Sequence, residues 1–492
     1  MSRTVTLGLL VALIAVHIAL ATNYALLTPY RQAGILLGQR DPKTGLPQKI
    51  VDVGAPDERQ HVNYVIHLLE GKGFPVFSPT DPNLGEDYQS HQPPAFYLLA
   101  AGWSKLTGAS DLTVRDSGLK LRFLNVLIGG VTVLGTFYLA FWGFRRPDVA
   151  LCAAAFAAFL PMFTALAGAV SNDPLLICLC TWVLALTARC LMWGWTMQKV
   201  LIIGVLTGLA MLTKTTALSL VPILLLAAFL AYRYPANPEA GAWGDDTRGG
   251  QVKPQPSKAM IAIAAVLAIC IAGPWWARNQ SLYHDPLAIG AFNDAFKLSA
   301  QKSQIVSMIE ATEPGTSSEM TYWKDYIGWW TARSFFGVFG YMDIWMNERG
   351  TSFTGVSQKG AAPNTLYRLL LAVTVLCVLG WILAFGKAEW KEYRAVQIMN
   401  ASFALIVLIL FLRFNMQYFQ AQARYLFPAL APISCGIAVG LTHLLGGRRQ
   451  FAFPAIALLF LGVNLYAISI LPEQFVKRQV PAEMRSDTPP LG

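Results

Sequence analysis

Pro56-Asp57-Glu58-Arg59-Gln60-His61 lies in a long polar segment directly after a first apolar run, and the same segment later carries Ser90-His91-Gln92-Pro93-Pro94-Ala95-Phe96-Tyr97. The apolar run before it is long enough to cross about 30 Å of hydrocarbon. Paired acids just beyond such a run put charge at a membrane boundary. An ionisable side chain is costly enough there to suggest a function by default.

Working outward, the composition agrees. Of 492 residues 54% are hydrophobic and 13% charged, and the mean hydropathy is +0.45, which excludes an ordinary soluble enzyme. Apolar runs near 4–27, 122–144, 148–171, 174–194, 258–276, 365–385, 395–414, 425–445 and 451–471 each suffice for a span, and 199–234 suffices for two short helices. The expectation is an all-α polytopic membrane protein with about 11 transmembrane helices (10–13). The first run lacks a small-residue cleavage site and reads as a retained anchor.

The net charge of +10 is spread over helix ends and forms no basic face, so no nucleic-acid partner is expected. It reads as topology. With the N-terminus inside, Arg145-Arg146, Lys199, Arg233 to Lys258, Lys387 to Arg394 and Arg448-Arg449 all become cytoplasmic. The same orientation puts 28–121, the Ser171-Asn172-Asp173 turn, the Lys214 turn, 277–364 and 415–424 outside. Cys152, Cys178, Cys180, Cys190, Cys270, Cys377 and Cys435 all fall in apolar runs. Neither a disulfide framework nor a cysteine metal site is expected.

Segment 28–121 is too long for a plain connection. Within it, 58–70 sets Val62, Val65, Ile66 and Leu69 at helical spacing, as in an interfacial amphipathic helix. Phe96 to Leu106 is apolar but too short to span and reads as a second juxtamembrane helix. The Pro- and Gly-rich stretch 235–257 reads as a cytoplasmic linker. Segment 277–364 is a second external region whose aromatics between 322 and 345 suit interfacial anchoring or a sugar-stacking platform. The chain divides into a membrane domain over 1–471 and a short external tail over 472–492, with no internal repeat of fixed period.

Several charged residues converge on the outer face in this topology. Asp57 suits a general base, or caps the helix that follows it. Asp173, in Ser171-Asn172-Asp173-Pro174, suits a helix start or a metal or acceptor ligand. Lys214, in Leu212-Thr213-Lys214-Thr215-Thr216, either snorkels or meets a buried phosphate. Arg278 and Arg424 end spans, where arginines anchor to headgroups or make charge-assisted contacts with a lipid phosphate. His61, His67, His91 and His284 are external, whereas His17 and His443 pack within spans. Asp57 and His61 share a helix face, as metal ligands or as a hydrogen-bonded pair. His91 precedes paired prolines that hold it extended. With no phosphate-binding lysine loop or dinucleotide glycine pattern, no nucleotide cofactor is expected.

Together these motifs resemble the GT-C superfamily of integral membrane glycosyltransferases, in particular the branch of protein O-mannosyltransferases and the lipid A aminoarabinose transferase. The markers are Asp57-Glu58, His91-Gln92-Pro93-Pro94 with Tyr97, Asn172-Asp173-Pro174-Leu175, Leu212-Thr213-Lys214, Pro274-Trp275 with Arg278-Asn279, Leu282-Tyr283-His284-Asp285-Pro286, and Arg424-Tyr425-Leu426-Phe427-Pro428. Each is short; their order is the specific feature. The resemblance implies a GT-C-like fold and a polyprenyl-phosphate sugar donor. It implies transfer with inversion on the outer side of a bacterial inner membrane, facing the periplasm. Asp57 becomes the base with Glu58 supporting it, and Lys214, Arg278, Arg424 and Tyr425 become the donor-phosphate contacts. Asp173, with His91 and His61, is the candidate set for the acceptor or a divalent metal. Aminoarabinose transferases tend to carry a lysine where this chain has Gln92, and Arg59 is the candidate replacement. The sequence shows no long soluble stretch after its last apolar run of the kind oligosaccharyltransferases carry, so the acceptor stays open between lipid, glycan and protein. Two rival classes are a transporter or flippase of lipid-linked sugars, which would show inverted repeats, and a structural subunit, which leaves Asp57-Glu58 without a role.

The charge distribution makes a direct prediction. An impermeant thiol reagent should label a cysteine introduced at Ser90 and spare one at Ser257, and the reverse pattern would overturn the topology.

Overall fold

The computed structural model describes residues 1–40, 45–234, 254–299, 301–312, 314–346 and 365–481. Most of the linker expected over 235–257 lies outside the described residues, as do 347–364 of the second external segment and 482–492 of the tail. The architecture is helical. Among the described residues eight helical segments are long and apolar enough to cross a membrane, or nine if the bent pair Pro147–Phe159 and Pro161–Ala167 counts as one span. The sequence expectation of about eleven also counts 199–234 twice; there the structure has the short helix Met197–Met211 and the span Thr215–Arg233. It further splits the helical segment Ala423–Lys477 at Gly446, where φ is +53°.

Pro147–Phe159 is the centre of the bundle. Its residues from Val149 to Phe159 are all buried, and Arg3–Leu27, Arg115–Phe144, Leu430–Leu445 and Ala452–Lys477 pack around it. Alanine dominates its sequence, so neighbouring backbones approach closely. The helix turns by 63° into Pro161–Ala167, because Pro161 cannot donate to the helical ladder. Carbonyls freed by such a break need other partners in the membrane. Here His17 Nδ1–H donates to Ala158 O at 2.8 Å, and Asn464 Nδ2 donates to Phe159 O at 3.1 Å. A second close approach joins Thr365–Phe385 to Leu430–Leu445. Gly436 and Gly440, four residues apart, face it, and a Cβ on Gly440 would lie 1.7 Å from Cys377 O.

The segment after the first span, expected outside, folds as Glu58–Leu69 and Ala95–Thr107, with a short helix Leu84–Asp87 and a 3-10 turn Tyr88–His91 between them. Val62 and Val65 of the amphipathic helix are buried. The sequence reading contained no strand here, but Gly34–Arg40 and Pro47–Ile50 form an antiparallel hairpin. Its edge is closed by residues following the last helix: Ile35 N–H donates to Arg478 O at 3.0 Å, and Gly34 bridges Gln479. A Cβ at Gly34 would sit 2.4 Å from that same carbonyl. Helix Ala452–Lys477 itself continues past 471, the boundary set from the apolar pattern. Arg478 also holds Asp343 at 2.6 Å, next to a second short hairpin, Val338–Phe339 with Ile344–Trp345.

One buried ion pair fastens the first external segment to the bundle. Arg122, near the start of Arg115–Phe144, donates through Nε to Glu58 Oε1 at 2.8 Å and through Nη2 to Glu58 Oε2 at 2.5 Å. Its other donors reach Ala25 O at 2.7 Å, Thr28 O at 2.8 Å and Pro29 O at 2.8 Å. Glu58 Oε1 also accepts from Val170 N–H at 2.8 Å. Four parts of the chain meet on two fully enclosed side chains. Every guanidinium donor is used, which offsets the desolvation of the pair.

Glu58→Ala would leave Arg122 buried and unpaired, so it should cost on the order of 3–5 kcal/mol of stability and lower the melting temperature in detergent. Adding Arg122→Met should recover part of that loss; an unchanged melting temperature in the single variant would contradict the clamp. Ser90 is buried and Thr80 of the same segment is exposed, so Thr80 is the better position for the labelling test.

Candidate active site

Asp57 stands at the N-cap position of Glu58–Leu69 but makes no capping bond. Its backbone is left-handed, with φ +64°, a conformation uncommon outside glycine though best tolerated by Asp and Asn. Such an outlier persists where surrounding contacts over-determine it. On one side Glu58 is fixed by Arg122; on the other, the Asp57 carboxylate accepts from the Tyr88 hydroxyl and pairs with Arg424. Burial would raise this carboxyl, but the Arg424 charge and the Tyr88 hydroxyl outweigh it and hold it below the usual carboxylate range.

Arg424 comes from a 3-10 turn, Ala423–Ala429, set by the polar contacts before it. Asn415 Oδ1 accepts from Gln420 N–H at 2.9 Å, and Ser334 Oγ accepts from Ala423 N–H at 2.9 Å. The guanidinium is buried, yet its Nε has no hydrogen-bond partner among the described residues. Tyr425 follows, its ring 5.4 Å from the Arg424 guanidinium carbon and 5.5 Å from Lys214 Nζ.

Lys214 lies just past the helix Met197–Met211, in extended backbone at the N-cap of the 3-10 turn Thr215–Ser219. Its ammonium pairs with Asp173 at 2.5 Å. Asp173 is the first residue of Asp173–Trp193. This second pair is tied to the first external segment by Ala95 N–H donating to Leu212 O at 2.9 Å. A polar relay runs alongside: His91 donates to Tyr88 O at 2.6 Å, Gln92 Nε2 to His91 Nε2 at 2.9 Å, and Asn172 Nδ2 to Gln92 Oε1 at 3.3 Å. Gln92, where aminoarabinose transferases tend to have lysine, is therefore a neutral link in this relay.

His61 is buried beneath both pairs, shares a hydrogen bond with Tyr97 OH at 2.8 Å, and is influenced by Asp57, Asp173, Lys214 and Arg424 together. Burial pulls it down from 6.5 to about 3 against the pull of the two carboxylates, so its ring is neutral. His91 is likewise lowered by burial, to about 4.

The structure thus brings Asp57, His61, Asp173, Lys214, Arg424 and Tyr425 into one cluster, with His91 joined through the relay. Three candidates stand elsewhere. Glu58 is consumed by the Arg122 clamp. Arg59 is bound to Glu86 at 2.7 Å. Arg278 donates to Pro75 O at 2.7 Å and lies over the Trp275 ring. Tyr88, the hydrogen-bond donor to Asp57, was missed; only its place just before His91 hinted at it. Among the described residues no three His, Cys, Asp or Glu side chains gather to hold a metal. With both carboxylates bound to cations, this donor set does not fit a metal centre.

Residues 91–237 match the family model of dolichyl-phosphate-mannose-protein mannosyltransferases. The Archaeoglobus fulgidus oligosaccharyltransferase tethered to an acceptor peptide superposes with TM-score 0.53 and 14% identity, over 94% of this chain and 55% of that one. The same organism's AglB in complex with an inhibitory peptide and a dolichol-phosphate gives 0.52 and 14%, over 98% and 58%. ArnT from Cupriavidus metallidurans bound to undecaprenyl phosphate gives 0.37 and 15%, over 98% and 90%, too loose a superposition to build on. This chain spans little more than half the length of the archaeal enzyme. No curated protein sequence matches it significantly. The order of motifs, the matched family model and the superposition agree: the chain has the GT-C fold of the superfamily of integral membrane glycosyltransferases.

Proposed function

We propose that this chain transfers a sugar, with inversion, from a polyprenyl-phosphate donor to an acceptor at the outer, periplasmic face of a bacterial inner membrane. The observation that carries the reading is the double pair Asp57–Arg424 and Asp173–Lys214, two cations at a membrane boundary with Tyr425 between them. The superposed AglB is in complex with a dolichol-phosphate, which supports a lipid-phosphate donor here.

In this account Asp57 removes the proton from the acceptor nucleophile. Its attack on the anomeric carbon opens the bond to the phosphate oxygen, and the electron pair leaves with the polyprenyl phosphate. Attack from the face opposite the leaving group inverts the centre. Lys214 and Arg424 stabilise the charge that develops on the departing phosphate, as fixed cations outside bulk water do well. Arg424, with its planar fork and free Nε, suits a phosphate bidentately. Asp173 orients Lys214 and faces the acceptor.

The resting pairs add a consequence. An incoming phosphate competes with Asp57 for Arg424 and with Asp173 for Lys214. As Arg424 turns to the phosphate, Asp57 loses the charge that depresses it and gains an anionic neighbour, so it becomes a stronger base. The base is thereby activated when the donor is in place. His61, which burial lowers to about 3, is too weak a base to compete for the proton.

Asp57→Asn should reduce release of polyprenyl phosphate from lipid-linked sugar by roughly 10²- to 10⁴-fold, the usual contribution of a positioned base. It should bind a short-chain polyprenyl phosphate at least as tightly as the native chain, since Arg424 is freed, whereas Lys214→Ala should weaken that binding about tenfold or more. Retained turnover in Asp57→Asn, or weaker lipid binding by it, would contradict the reading.

A pH test bears on His61. The unfolded chain protonates this ring near 6.5 and the folded chain only at about 3, so stability falls as pH drops between those values, by up to about 1.4 kcal/mol per pH unit. Melting curves from about pH 7.5 to about 5 should therefore be flatter for His61→Gln than for the native chain. Equal slopes would mean that the buried ring carries a charge.

A further inference from the structure

A second site lies at the opposite end of the bundle. A cavity of about 400 Å³ is lined by Arg146, Glu389, Thr442, Gly446, Gly447 and Arg449. Arg122 lies two turns inside the helix Arg115–Phe144 and Arg146 just past its end, and at 1.5 Å per residue they are about 35 Å apart. That is about one hydrocarbon core. The cavity is therefore level with the headgroups of the other leaflet.

Of its two guanidiniums only Arg146 is closely paired. Arg146 holds Asp148 through Nε to Oδ1 at 3.2 Å and Nη2 to Oδ2 at 2.6 Å, which leaves Nη1 outside the pair, and Arg449 Nε reaches Oδ2 only at 4.0 Å. Two guanidiniums share one carboxylate. The other acid of the cavity, Glu389, is engaged by the Trp390 indole N–H at 2.9 Å and by His443 at 3.1 Å. The Arg146 guanidinium lies over the Trp390 ring at 4.8 Å, which fixes the plane of its fork. The Arg449 side chain is 58% exposed and free to turn inward. The Gly446-Gly447 turn leaves the floor open, for a Cβ on either residue would meet nothing within 4 Å. On both sides of that turn apolar side chains face outward, Leu444 and Phe451 being 48% and 54% exposed.

We propose that this cavity binds the phosphate of an anionic phospholipid headgroup, with Arg146 and Arg449 as its ligands and the acyl chains lying along Leu444 and Phe451. A planar, pre-oriented guanidinium is the side chain best matched to a phosphate, and basic pockets between spans are where anionic headgroups lodge. The flanking apolar surface distinguishes a lipid from free phosphate. The site is independent of the transfer reaction at Asp57.

Native mass spectrometry of the full chain in detergent tests it, with phosphatidylglycerol, phosphatidylcholine and inorganic phosphate as probes. One phosphatidylglycerol should be retained in preference to phosphatidylcholine, and millimolar inorganic phosphate should not displace it. Arg449→Gln should weaken its retention about tenfold. Arg146→Lys, which keeps the charge and loses the fork, should weaken it as well, with melting temperatures confirming that both variants fold. Native-like retention in both variants, or equal retention of phosphatidylcholine, would overturn the site. Displacement by inorganic phosphate alone would overturn the lipid assignment.

Discussion

The Glu58–Arg122 pair is the constraint on which the arrangement of the candidate active site rests. A carboxylate and a guanidinium removed from water repay their desolvation only when their hydrogen-bonding capacity is used. Here every donor of Arg122 has an acceptor, and the acceptors belong to the end of the first span, the residues just after it and Glu58 itself. Val170, on the turn leading to Asp173, closes the set. Because Asp57 adjoins Glu58, the clamp also sets where the proposed base stands and holds its neighbour's left-handed backbone in register. Glu58 thus serves the proposed chemistry through position.

From this anchor the polar elements of the outer end fall into place by local bonds. Ala95 N–H on Leu212 O seats the Lys214 turn against the first external segment, and Ser334 Oγ and Asn415 seat the turn that carries Arg424. Each cation then faces a carboxylate. The result is a site charge-balanced at rest, with one buried guanidinium nitrogen still unpartnered. In the proposed reaction a phosphate enters by loosening these ion pairs, which links donor binding to the strength of the proposed base.

Much of this was legible in the sequence, for identifiable reasons. Spans announce themselves through length and hydropathy, and Ala95–Thr107 was separable from them because an apolar stretch that short cannot cross. The amphipathic period of 58–70 marked its helix. Asp57, Asp173, Lys214 and Arg424 were singled out because charge is rare and costly beside apolar runs. What stayed hidden is pairing across distance. Arg122 looked like the flank of a span, and nothing in its neighbourhood pointed to Glu58, its partner across the first external segment. Arg59 met Glu86 for the same kind of reason, and Arg278 turned to the carbonyls of Phe74 and Pro75. The hairpin at Gly34–Arg40 was unreadable because its edge is completed by residues from the far end of the chain.

The central claim is that a lipid phosphate replaces carboxylates as the partner of Arg424 and Lys214. A structure of the purified protein with a polyprenyl phosphate bound tests it directly. The account predicts phosphate density within hydrogen-bond distance of Arg424 and Lys214, with the Asp57–Arg424 pair opened. Phosphate bound elsewhere, with both ion pairs intact, would contradict it.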